Sequence, residues 1–149
     1  MATHTAREIA DWFLVWGEQN EAAMSNLKLQ KLLYYAQGHH LGSHGVPMFD
    51  DKVEAWAHGP VVRSVYHELK KFGNADIDVD EAVAEDFDWD DYRDVEADLV
   101  RVWNTYGKYE AWALRNRTHR ESPWKDTFED GARFLVIPQD AMREFFATS

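Results

Sequence analysis

Met24 to Gly42 reads MSNLKLQKLLYYAQGHHLG, and how this stretch folds decides the architecture. Ser25 is a candidate N-cap, because its hydroxyl can accept from an early helix amide. Leu29, Leu32, Leu33 and Ala36 recur at helical spacing and make one apolar stripe. Gln30, Tyr34 and Gln37 fall at i, i+4 and i+7 on another face, with Lys28 and Lys31 flanking them. That second stripe has two readings. It is a solvated helix flank, the commoner case, or a polar-aromatic strip that touches a partner.

Upstream, Thr5 and Glu8 have capping-box spacing. Ile9, Trp12, Phe13 and Trp16 then continue as one apolar stripe, and Gly17 is placed to end that helix. Downstream, GSHGVP reads as a loop. MFDDKVEAWA predicts one or two short strands, since Val53, Ala55 and Ala57 alternate with Glu54 and Trp56. At the Gly59-Pro60 step, Trp56 anchors the strand, Gly59 permits a turn and Pro60 fits the first position of a helix. Val62, Val65, Tyr66 and Leu69 share a face of that helix, and Gly73 caps it.

The segment NADIDVDEAVAED starts loop-like. It turns helical near Trp89 or Asp91, with Val95, Leu99, Val102, Trp103 and Tyr106 on one face and Gly107 at the end. KYEAWALRNRTH predicts a further helix. ESPWKDTFEDG predicts a short one, with Ser122 as N-cap and Pro123 at its first position. RFLVI is a possible strand, and PQDAMREFF is a closing helix begun by Pro138. The expected fold is mainly α with a minor β element, one compact helical domain over residues 1–149.

Composition narrows the function. The chain has 149 residues, 45% of them hydrophobic, with seven Trp, eight Phe and six Tyr, enough for one sizeable core. No apolar run is long enough to span a bilayer, and the N-terminus lacks an apolar signal core, so no membrane is expected. With no cysteine, a disulfide scaffold is excluded, which suits a cytoplasmic location. The net charge of −11 resides wholly between Asp76 and Asp98, where twelve acids meet one base, Arg93, and the rest of the chain is neutral. A broad basic field for nucleic acid is therefore disfavoured. The acidic segment reads as a solvated face or as an attractor for a basic protein partner.

The chemistry-bearing residues are few. His39 and His40 point about 100° apart on a helix and cannot share one ion. His40 and His44 have i, i+4 spacing, but Gly42 lies between them, and no HExxH or Cys/His signature supports them. No metal or cofactor is expected. His119 and Glu121 could form an acid–base pair, yet no nucleophile motif, P-loop or GxGxxG accompanies them. The Gly59-Pro60 corner lacks a glycine-rich cradle and loses one donor at Pro60, so it reads as architecture rather than an anion site.

Four pieces resemble the Panacea family of antitoxin domains, which includes SocA-like and phage-associated GepA-like proteins. They are LKLQKLLYYAQGHHL, GVPMFDDKVEAWAHGPVVRSVYHELKKFG, VWNTYGKYEAWALRNRTHRESPWKD and IPQDAMREFF, spanning Leu27 to Phe146. Specificity lies in the order KLQKLLYYAQ, then EAWxxGPV, then THxExPW. Lys28, Gln30, Lys31, Tyr34 and Tyr35 match the first block. Trp56, Gly59 and Pro60 match the second, and His119, Glu121, Pro123 and Trp124 the third. His39 stands where the family has an aromatic residue.

The resemblance implies a small, mostly helical, non-enzymatic protein that neutralises a cognate protein toxin, usually encoded beside it, by direct binding. The family faces many unrelated toxins, alarmone-synthetase-like nucleotide transferases among them. One branch is thought to be an adaptor that delivers its toxin to a protease. The site candidates are thus Lys28, Gln30, Lys31, Tyr34, Tyr35, Gln37, Trp56, Gly59, Pro60, His119 and Trp124. A small hydrolase using His119 and Glu121 is the remaining alternative.

Overall fold

A computed structural model describes residues 2–147. Its helices are α1 (Ala6–Gln19), α2 (Asn26–His44), α3 (Arg63–Leu69), α4 (Val79–Ala82), α5 (Glu96–Tyr106), α6 (Ala111–Thr118), α7 (Ser122–Lys125) and α8 (Gln139–Ala147). One antiparallel hairpin, β1 (Glu54–Trp56) and β2 (Gly59–Val61), lies between α2 and α3. The expectation of a mainly helical fold with a minor β element holds.

Helix α2 is the axis. Ser25 caps it, accepting from the Lys28 amide, and Gly45 ends it in the left-handed conformation. Helices α1, α5, α6 and α8 and strand β2 all pack on it, and every residue from Leu29 to Gly38 is buried. A helix enclosed on all sides has no solvated flank. This corrects the reading of Gln30, Tyr34 and Gln37 as a solvated or partner-touching stripe, since their exposures are 1%, 0% and 0%.

The helix also runs through Gly42 to His44, where a loop was expected. Gly38 and Gly42 serve packing. A Cβ on Gly38 would lie 2.2 Å from the Phe146 ring, and one on Gly42 would lie 2.7 Å from the Phe146 backbone. Gly17 is likewise inside α1, because Met24 and the Ala22 carbonyl press against it. The Thr5–Glu8 capping box forms as expected.

The Gly59-Pro60 step is a second correction. Pro60 does not start a helix. It pairs with Ala55 in the hairpin, and Ala57 and His58 form the two-residue turn. In an antiparallel ladder, hydrogen-bonded and non-bonded pairs alternate. The pair next to the turn, Trp56 with Gly59, exchanges the bonds, so the missing N–H of Pro60 leaves the ladder intact. Helix α3 begins three residues later, at Arg63. The RFLVI segment borders β1 through a single bridge, Glu54 with Val136, and the Leu135 carbonyl accepts from the Ala55 amide at 2.9 Å. The short helix at SPWK begins one residue earlier than expected, with Glu121 rather than Ser122 at its cap.

The acidic segment wraps α1. Tyr92 donates to the Glu8 carbonyl at 2.9 Å, His4 meets Asp94 at 3.0 Å, and Trp89 packs edge-on against Trp12 and Trp16. Its apolar residues are thus anchored while most of its carboxylates stay exposed.

Candidate partner-binding surface

The three motif blocks converge on one buried polar network. On α2, Gln30 accepts from the Val62 amide at 2.9 Å and donates to Asn26 at 2.8 Å, and Asn26 in turn donates to the Tyr66 carbonyl. This ties the start of α3 to the central helix. One turn on, the wholly buried Lys31 donates to the Pro60 carbonyl at 3.2 Å. Burial pulls its ammonium down to about 7, and nearby Arg115 pulls the same way. Gln37 clamps the 48–49 backbone, donating to the Phe49 carbonyl and accepting from the Met48 amide.

The third block closes the network. Tyr34 and Tyr35 each donate to the Glu121 carboxylate at 3.0 Å. Burial raises the Glu121 carboxyl above its usual range, opposed by these two bonds and by Arg117. Burial, then the Glu121 charge, pushes both phenols well above theirs. Trp124 donates from its indole to the Trp56 carbonyl at 2.8 Å, and His119 stacks on Trp124 at 3.8 Å. Burial and Arg115 lower the His119 imidazole. Both oxygens of Glu121 are engaged by tyrosines, and His119 stacks on Trp124, so the arrangement favours the structural reading of His119 over the alternative acid–base pair.

Gly59 lies at the centre of this knot. Its φ of +108° suits only glycine, and a Cβ there would sit 2.5 Å from Lys31 and 2.9 Å from Thr118. The hairpin backbone therefore lies directly on the Lys31 stem.

Above the network the surface opens into a groove of about 550 Å³. Its floor includes Asn26 and Gln30, and its walls are Trp56, Tyr66, His58 and Trp112. Trp112 is 52% exposed, lies 5.6 Å from the His58 ring and carries the Arg115 guanidinium 4.7 Å above it. Trp56 also walls a second recess of about 370 Å³, bounded by Phe128 and by Phe134, itself 53% exposed. Exposed aromatics thus flank the hairpin tip on both sides. Lys70 and Arg115 border the groove, Arg133 and Asp130 border the second recess, and Arg63 is paired with Glu54 at 3.2 Å.

Residues 29–125 match the family model described as antitoxin SocA-like, Panacea domain. The chain belongs to this family. Antitoxin SocA of Caulobacter vibrioides (strain NA1000 / CB15N) is 43% identical over 61 residues, which cover 41% of this chain and 32% of that protein. The match therefore spans about a third of the relative's length. No solved structure matches.

The Panacea match contains the three motif blocks apart from Lys28, and most of the buried network, with Asn26 just outside it. Of the residues singled out from the sequence, Gln30, Lys31, Tyr34, Tyr35, Gln37, Gly59, Pro60 and Trp124 are buried. Lys28, Trp56 and His119 are partly exposed. Lys28 is held by the Gly107 carbonyl and lies over the Trp103 ring, so of the three partly exposed residues only Trp56 lines the groove, above the buried Gln30 of its floor. The sequence reading missed Trp112, Tyr109 and Phe134. For Trp112 a signal existed: it stands two residues before Leu114, the apolar core contact of α6, and so points to the opposite side of the helix.

Proposed function

We propose that this chain neutralises a cognate protein toxin by binding it directly, through the face around the hairpin tip and α6. A toxin partner follows from membership of an antitoxin family. The observation that carries the choice of surface is the exposed Trp112, next to a groove walled by Trp56, Tyr66 and His58. Large half-exposed aromatics beside a recess are the usual anchors of a protein interface. Lys70 and Arg115 beside the groove suit a toxin segment that is apolar and acidic. The buried network beneath fixes the hairpin, so that the anchors are held in place before the partner arrives. The acidic Asp76–Asp98 segment acts at longer range, on encounter with basic parts of the toxin.

Co-expression with the product of the neighbouring gene tests this reading. Rescue of growth with a stable complex on co-purification is the expected result. Rescue without any complex, lost in a protease-deleted host, would instead support delivery of the toxin to a protease.

A further inference from the structure

At the far end of α2 from the groove, His40 and His44 stand one turn apart and face Asp98 on α5. One ring nitrogen from each histidine and a carboxylate oxygen of Asp98 all lie within 4.8 Å of one another. The His44 Nε2 and the Asp98 Oδ2 are already 3.0 Å apart. Two ligands bound at about 2.0–2.1 Å to one ion are separated by roughly 2.9 Å at a right angle and roughly 3.3 Å at the tetrahedral angle. The longer separations in the cluster close by torsion of His44, whose side chain is exposed at the helix end.

A second observation concerns the proton positions. The Nδ1 of His40 lies 2.7 Å from the Val46 carbonyl, which can only accept. The ring is therefore protonated at Nδ1, and its lone pair is on Nε2. A ligating histidine is held in this way by its outer partner. Asp98 is also held: its second oxygen accepts from Arg101. The sequence grounds against a shared ion are the lack of a metal-binding signature and Gly42 between the two histidines. The helix is continuous there, and both histidines project from one face.

We propose that His40, His44 and Asp98 form a site for a divalent transition metal ion of the zinc and nickel class. Two imidazoles and a carboxylate suit these ions and not magnesium or calcium, which take oxygen ligands. Bound metal would join the C-terminal turn of α2 to the first turn of α5. The nearby Arg101 charge opposes a cation, so the affinity falls short of that of a closed structural zinc site.

The test is calorimetric titration of the full chain, free of any histidine tag, with zinc chloride and with nickel chloride. One ion per chain is expected. His44→Ala and Asp98→Asn should each weaken binding at least tenfold, while His67→Ala, on a different face, leaves it unchanged. Circular dichroism checks that the variants fold. Cobalt(II) gives an independent readout, a visible d–d spectrum in the parent that His44→Ala abolishes. No heat and no cobalt spectrum, or binding that survives both substitutions, would overturn the proposal.

Discussion

Replacing Gly59 by alanine tests the claim that the family motifs build one buried knot. Two costs add. The first is conformational: φ at Gly59 is +108°, and an L-residue there is strained by about 1–2 kcal/mol. The second is steric, because the new methyl would lie 2.5 Å from the Lys31 Cε and 2.9 Å from the Thr118 Oγ1. Lysine tips normally swing aside, but Lys31 is wholly buried and its ammonium is bonded to Pro60. Overpacking of this kind costs about 1–3 kcal/mol. The sum is about 2–5 kcal/mol, or a melting point lowered by roughly 6–15 °C at about 3 °C per kcal/mol. Gly45→Ala is the control. Gly45 has φ +75° and nothing within 4 Å, so it carries the conformational cost alone. Thermal melts followed by circular dichroism measure both. If Gly59→Ala melts within ~2 °C of Gly45→Ala, the close approach of hairpin to Lys31 is wrong.

Three further outcomes follow from the same geometry. Glu121→Ala leaves two buried phenols without an acceptor and should destabilise by about 2–4 kcal/mol in urea unfolding; a loss below ~0.5 kcal/mol would mean Tyr34 and Tyr35 are not held by this carboxylate. Lys31 binds its proton more weakly folded, near 7, than at its ordinary 10.5. Stability should therefore rise with pH above about 7, with a slope approaching 1.4 kcal/mol per unit. Lys31→Met should flatten that rise between pH 7 and 9, and an equal rise in both proteins would remove Lys31 as its source. Neutralising the exposed Asp88, Asp90 and Asp91 to asparagine should slow association with the toxin and reduce its salt dependence, leaving dissociation nearly unchanged by surface plasmon resonance. Salt-independent association of the parent would end the steering idea.

What the sequence made legible is what depends on neighbours in the chain. The Thr5–Glu8 box, the Ser25 cap and the end of α5 at Gly107 are local, and each is where the pattern put it. The errors share a different cause. Gly42 looks like a helix terminator, but it is there because α8, a hundred residues later in the chain, packs against it. The Ala57-His58 turn carries no Asn-Gly or Asp-Gly signal, so the adjacent Gly-Pro step was read as a helix start. Gln30, Tyr34 and Gln37 look solvated because helical periodicity records polarity, not the partner that satisfies it. The partner of Tyr34 is 87 positions away. The resemblance correctly picked out residues that belong together, but it did not tell that they hold the fold while Trp112 faces outward.

Affinity of the purified chain for its toxin, with and without Trp112→Glu, is the most direct measure of the central claim. Trp112 is 52% exposed and Leu114 supplies the core contact of α6, so the variant should melt like the parent. An acidic residue in place of the anchor removes apolar contact and repels an acidic toxin segment. The account predicts binding weakened at least tenfold, about 1.4 kcal/mol, with loss of neutralisation in cells. A folded Trp112→Glu that binds and neutralises like the parent would contradict it.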